Sequence, residues 1–130
     1  MNNRKQRGFT LVELIVVLAI LAILLVVLVP KFTHYIDDAR ATATRNDASA
    51  LLQAAELYVI DQERNSAIPQ ATITQADDTL KSYLKNTNAS ATYQINIVPD
   101  AANGYNISGH YSSGKFTVSL PALTLEVNNN

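Results

Sequence analysis

Twenty-one consecutive residues, Phe9 to Val29, contain only two polar side chains, Thr10 and Glu13. At ~1.5 Å of rise per residue, a helix over this run reaches ~31 Å, close to the ~30 Å hydrocarbon thickness of a bilayer. No Gly or Pro interrupts it before Pro30, so nothing in it opposes a continuous helix. The competing placement, a helix buried in a soluble core, would ask a small domain to surround a cylinder that is apolar on every side. The run therefore reads as a membrane-spanning helix.

Glu13 is the anomaly in it. If the helix starts at Phe9, this carboxylate lies ~6 Å inside the apolar run. An acid at the centre of a membrane helix costs roughly 2.5–3.5 kcal/mol on insertion scales, and less near the edge. Two ordinary explanations compete with a functional one. The charge can favour the positive end of its own helix dipole, or it can snorkel toward the headgroups.

The residues in front of the run bear on that choice. Met1 to Gly8 hold Arg4, Lys5 and Arg7, no acid, and a final Gly. A secretory signal peptide carries its apolar region before a small-residue cleavage site, whereas here the basic segment and the Gly come first. This arrangement resembles the leader of a type IV prepilin. The matching residues are Gly8, Phe9, Thr10, Leu11 and Glu13, with Pro30 closing the run. The resemblance implies cleavage between Gly8 and Phe9 by a dedicated membrane peptidase, and methylation of the new amine at Phe9. It also implies that the apolar helix stays on the mature chain as the core of a filament, with Glu13 serving assembly. The specific motifs cover about residues 1–30.

Charge and composition set the remaining bounds. The chain has 130 residues and a formal charge of −1. Removing Arg4, Lys5 and Arg7 would leave seven basic against eleven acidic side chains, hence −4. That balance gives no support for bulk electrostatic binding of nucleic acid. There is no cysteine, which excludes disulfide and thiolate chemistry. Many pilins of Gram-negative bacteria carry a cysteine pair near the carboxy terminus, so this chain departs from that pattern; the departure favours a Gram-positive pilin or a pseudopilin. Basic residues crowd the stretch before the span and thin out after it, which puts the amino terminus in the cytoplasm with a single pass.

Beyond Pro30, apolar residues recur mostly at spacings of three and four: Phe32, Tyr35, Ile36, Ala39, Ala43, Ala50, Leu51, Ala54, Leu57 and Tyr58. That pattern predicts an amphipathic continuation of the helix to about Glu63, kinked at Pro30 and ~80 Å long in all. Asp37, Asp38, Arg40, Arg45, Gln53 and Glu56 would form its polar face. Asn65–Gln70 reads as a loop. Thr74-Gln75-Ala76-Asp77 has capping-box form with Asp in place of Glu, and predicts a short helix to about Lys85 that buries Leu80, Tyr83 and Leu84. Alternation then predicts strands at Tyr93–Ile97, Tyr105–Ser108 and Phe116–Leu120. Leu123–Val127 either prolongs the last strand or adds a fourth. Asn103-Gly104 and Ser113-Gly114 mark turns.

The expected fold is α+β: a long amino-terminal helix packed against a small antiparallel sheet of three or four strands. The expected organisation is a cleaved leader at 1–8, a transmembrane or filament-core helix at 9–30, its amphipathic half at 31–63, and a globular region at 64–130.

Catalytic chemistry finds little support. His34 and His110 lack the spacing of a metal pair. Asp77 and Asp78 are adjacent, so on a helix they would diverge, and first-turn acids have an ordinary explanation. No phosphate loop, nucleophile elbow or EF-hand spacing occurs. Neither an enzyme nor a cofactor is expected. Asn88-Ala89-Ser90 and Asn106-Ile107-Ser108 match a short sequon that often arises by chance. Some pseudopilins bind calcium in a carboxy-terminal loop; Asp100 and Asn103 lie in such a loop without a residue-by-residue match. The expected partners are further copies of the chain, the prepilin peptidase and methyltransferase, the assembly machinery, and the cytoplasmic or inner membrane before export to the cell surface. The resemblance admits a major pseudopilin of a type II secretion or competence system as the alternative to a pilus subunit. A singly anchored protein that never polymerises is the contrasting class, and looking for filaments after detergent removal separates the two.

Overall fold

The computed structural model describes residues 8–84, 90–102 and 104–128. They fall into two compact units, Met1–Asp38 and Ala39–Asn130. One helix, α1, covers Leu11–Arg64, and five strands come after it: β1 Thr72–Thr74, β2 Thr92–Asp100, β3 Gly104–Ser113, β4 Phe116–Leu120 and β5 Thr124–Val127.

Among the described residues of the first unit the large apolar side chains are about half or more exposed, from Leu28 at 43% to Phe9 at 82%. This part of α1 is long and apolar enough to cross a membrane. Pro30 stands inside α1, which is continuous on either side of it. The Thr33 hydroxyl donates to the Pro30 carbonyl at 2.8 Å.

The second unit buries a core between the remainder of α1 and the sheet. Thr44, Ala48, Leu51, Ala55 and Tyr58 are the buried line on the helix, at spacings of four and three. They meet Ile73, Tyr93, Ile95, Ile97, Tyr111, Val118 and Leu120 of the sheet, together with Leu80. The buried line differs from the expected stripe. Leu51, Ala54 and Tyr58 are buried as expected, but Ala39, Ala43, Ala50 and Leu57 are exposed. Thr44 and Ala48 take their place, because a hydroxyl that donates to the Arg40 carbonyl at 2.8 Å can be buried without loss. The helix stops in a Schellman turn: Ala67 N–H donates to the Gln62 carbonyl and Ser66 N–H to that of Glu63. Ser66 takes the left-handed position, φ 54°, that Gly usually fills.

The sheet is an antiparallel meander in the order β1-β2-β3-β4-β5, one to two strands larger than expected. β5 is a separate strand that folds back on β4, Phe116 opposite Val127. β1 was not expected. β2 and β3 run longer than their alternating segments, and the missed extension of β3 turns on Gly109. Glycine inside a strand reads as a break, yet a Cβ at Gly109 would collide with the Gln94 carbonyl oxygen. The strand continues here because this residue has no side chain. Gly104 and Gly114 hold positive φ at the turns, and the β3–β4 turn itself is Gly114-Lys115. Asn103 lies outside the described residues.

The short helix after Thr74 does not form. Asp77 does complete its half of the capping geometry, accepting from the Thr74 N–H at 2.8 Å and the Thr74 hydroxyl at 3.0 Å. Thr74, however, is the last residue of β1, and from there the chain passes through successive turns to Tyr83. Fewer than a dozen residues make a marginal helix unaided. Leu80, fully buried, and Tyr83, tied to α1, hold this segment as turns instead. Tyr83 and Leu84 are half-buried against the core, and the expected end at Lys85 lies outside the described residues.

Candidate functional site at the start of the helix

Gly8, Phe9 and Thr10 precede α1 in non-helical conformation. Thr10 caps the helix: its side-chain oxygen accepts from the Glu13 N–H at 3.2 Å and its carbonyl from the Leu14 N–H at 3.2 Å. The helix thus begins at Leu11, two residues later than Phe9, and Glu13 is the third helical residue, in the first turn. A carboxylate there faces the positive end of the dipole. Thr10-Leu11-Val12-Glu13 has capping-box spacing, a signal the sequence carried but that the apolar run obscured.

Gly8, Phe9, Thr10 and Glu13 line one open hollow. A Cβ on Gly8 would meet no atom within 4 Å. The chain's own fold therefore makes no demand for a small residue at position 8.

Several other titratable groups have structural partners. The Tyr111 hydroxyl donates to Asp47 at 3.1 Å, and the Tyr83 hydroxyl to Asp61 at 2.9 Å. These two ties run from α1 to the sheet and to the turn segment, and sequence reasoning found neither, because only tertiary packing brings the pairs together. Burial pushes the Tyr111 phenol well above its usual range, with the Asp47 charge adding to it. For Tyr83 the hydrogen bond to Asp61 is the main cause of an upward shift. Asp77 is held below its usual value, chiefly by the Thr74 N–H. Asp78 forms an exposed ion pair with Lys81. Asp100 accepts from the Ala102 N–H at 3.0 Å. His34 and His110 are exposed. Among the described residues no group of three or more His, Cys, Asp or Glu could hold a metal. Asn106 is exposed on β3, whereas Asn88 and Ala89 lie outside the described residues.

Comparison with known proteins bears on this first turn. A family model described as the prokaryotic N-terminal methylation motif matches residues 3–29. The chain is also similar to prepilin peptidase-dependent protein A of Clostridium perfringens, 31% identical over 126 residues that cover 89% of this chain and 86% of the relative. The chain belongs to the type IV pilin family. Within that family it is also similar to type II secretion system core protein G of Pseudomonas aeruginosa. Identity there is 39% over 61 residues, 47% of this chain and 43% of that protein's length. No solved structure matches it. The matched motif takes in the hollow, the Thr10 cap, Glu13 and the whole exposed apolar segment. The longer similarity to the Clostridium protein extends over most of the second unit.

Proposed function

We propose that this pilin-family chain is the structural subunit of a pilus-like surface filament, made as a membrane-anchored precursor. The observation that carries the reading is an apolar helical segment in which no residue is buried by its own chain and which comes directly after Gly8-Phe9-Thr10. Residues 1–8 are a leader removed by prepilin peptidase after Gly8, and the amine at Phe9 is then methylated. The 9–30 segment anchors the precursor with its amino terminus in the cytoplasm and forms the filament core after assembly. Residues 31–63 continue this helix, and 64–130 complete the globular part.

Cleavage creates a cation at Phe9, since an unperturbed α-amine has a pKa of ~7.7–8.0. Among apolar helices, that amine and the Glu13 carboxylate both lose water, and leaving one buried without the other costs roughly 3–5 kcal/mol. Pairing between an incoming subunit's amine and the carboxylate of a subunit in place sets axial register, which apolar surfaces alone set poorly. Pro30 offers no donor to the Val26 carbonyl, so any unwinding on packing centres on the turn before it. Ala22 favours helix over Gly by ~1 kcal/mol and holds its own turn.

The similarity to a type II secretion core protein favours a second reading, a major pseudopilin of a secretion or competence system. Both readings share processing and polymerisation.

Intact mass of native protein tests the proposal. The expected chain starts at Phe9 and carries one methyl group; surface filaments built from chains starting at Met1 would overturn it. Gly8→Val blocks cleavage while leaving the subunit's melting unchanged, since a side chain at Gly8 touches nothing.

A further inference from the structure

Where a helix starts decides which carbonyl it captures first, because the cap residue gives its own carbonyl to the first intrahelical hydrogen bond. Here that residue is Thr10, whose carbonyl accepts from the Leu14 N–H at 3.2 Å. Its hydroxyl oxygen accepts from the Glu13 N–H, also at 3.2 Å. In a helix begun earlier, that Glu13 donor would go to the Phe9 carbonyl, four residues back. The Thr10 side chain intercepts it. Among the described residues, neither the Gly8 nor the Phe9 carbonyl accepts a bond from the helix.

The sequence offers a competing start. Gly ranks about level with Thr as a cap, well ahead of apolar residues, and Gly8 lies two residues before Thr10. The apolar run after it has no break of its own until Pro30. A helix capped at Gly8 would close its first bond from the Val12 N–H onto the Gly8 carbonyl. That carbonyl belongs to the Gly8–Phe9 amide.

We infer that Thr10 is a positioning residue for leader removal: its cap holds the helix start two residues beyond the Gly8–Phe9 bond and keeps that bond in open chain. The inference rests on the processing reading and adds a residue to it. Hydrolysis adds one water across the amide. The water oxygen stays on carbon as part of the Gly8 carboxylate, the C–N bond breaks, and both water protons end on the Phe9 nitrogen as an ammonium. During the attack, charge gathers on the Gly8 carbonyl oxygen and needs donors aimed at it by the peptidase. An oxygen already bonded along its own helix is screened from them. In this structure Gly8, Phe9 and Thr10 are exposed and border an open hollow with Glu13. The cap uses the backbone of Glu13 and not its carboxylate, so cleavage does not need the acid that assembly needs.

The test separates capping from side-chain shape. Val copies the outline of Thr without an acceptor, whereas Ser and Asn differ in outline and cap as well or better. Full-length precursor carrying Thr10→Val, Thr10→Ser or Thr10→Asn is mixed with membranes containing prepilin peptidase, and intact mass follows the loss of residues 1–8. Thr10→Val should slow the initial rate by about three- to thirty-fold, the range set by loss of a cap. Thr10→Ser and Thr10→Asn should stay within about two-fold of the parent. A parent-like rate for Thr10→Val overturns the inference. So do Ser and Asn variants as slow as Val, which would mean that the peptidase reads threonine itself. A second measurement needs no peptidase: carbon-13 shifts of Gly8 and Phe9 in the detergent-solubilised precursor. They should move toward helical values in Thr10→Val alone, and unchanged values there also overturn it. A parent chain that the peptidase never cuts removes the processing reading, and this one with it.

Discussion

The two units of this chain use one kind of secondary structure for opposite ends. In the first, α1 is apolar on all sides from Leu14 to Val29 and none of these residues is buried: Leu18, Leu24 and Leu25 are each more than half exposed. In the second, the same helix carries alanines, a threonine and a few large apolar residues on one face, and buries that face almost completely: Leu51 is 1% exposed. The first unit thus holds far more apolar surface than the second needs for its own core. Hydrophobicity in this chain therefore marks two different things: the buried core of the second unit, and an apolar segment of the first that its own chain leaves exposed.

The sharpest way to break that comparison is Glu13→Ala. It removes the one acid of the apolar segment. Processing and membrane insertion should persist while filament yield falls to near zero, with Glu13→Asp, one methylene shorter, intermediate. Normal yield of filaments at equal levels of processed protein would return Glu13 to its place beside the helix dipole.

The same substitution on either side of the divide gives the next largest effect. Leu51→Ala should destabilise the second unit by about 2–5 kcal/mol, the range for a buried leucine. Leu18→Ala should leave its unfolding unchanged. Thermal melting of the detergent-solubilised chain, monitored by near-ultraviolet circular dichroism, reads both, and equal losses would mean that the units share a core.

Smaller again is the loss of a tie across the second unit. Tyr111→Phe leaves the Asp47 carboxylate without its phenol donor and should cost about 1–3 kcal/mol. Tyr83→Phe, in a more open setting, should cost less. Both phenols are raised on folding, so their stabilisation is complete below the unfolded value near 10 and is lost as the pH rises through the higher folded values. Denaturant titrations at neutral and alkaline pH should show each Phe variant with a flatter alkaline limb than the parent.

The smallest effect is at the acid end. Asp77 is lowered from its usual 3.8. A carboxyl shifted down on folding stabilises above its unfolded value, and that contribution is lost as the pH falls through the lower folded one. Asp77→Asn should therefore melt slightly earlier at neutral pH and lose less on acidification than the parent. An identical acid limb in both proteins would show that the Thr74 bonds carry no linkage.

Much of this was legible in the sequence because it rests on local rules. The apolar run, the helix end near Glu63 and three strands with glycine at their turns need only periodicity and turn chemistry, whereas alternation alone leaves Leu123–Val127 open between prolonging the last strand and forming the separate strand it is. The features that escaped depended on tertiary partners. β1 has three residues and shows itself only through its pairing of Thr72 with Asn96 and Thr74 with Gln94. The capping box at Thr74–Asp77 formed its hydrogen bonds, but a buried Leu80 overrode the helix that such a box usually opens. The apolar period on α1 was detected, yet Thr44 and Ala48 rather than Ala39, Ala43 and Ala50 face the core, and periodicity alone cannot say which line a chain's own sheet takes. At the candidate site, Gly8, Phe9 and Glu13 were visible as a motif, whereas the cap made by Thr10 became clear only when the helix start was seen at Leu11.

The order of the strands has a consequence for how such a subunit comes into being. Each strand pairs with its neighbour in sequence, so β2 to β5 can zip hairpin by hairpin with little chain to close, whereas β1 joins β2 only across the longer stretch between Thr74 and Thr92. The tie between Tyr111 and Asp47, by contrast, spans 64 residues, and closing a loop of that length carries a larger entropic cost. Topology of this kind favours early local pairing and late docking of the helix. The sheet is then the template, and α1 acquires its inner face last, when most of the apolar surface meant for its own chain is already in place to receive it.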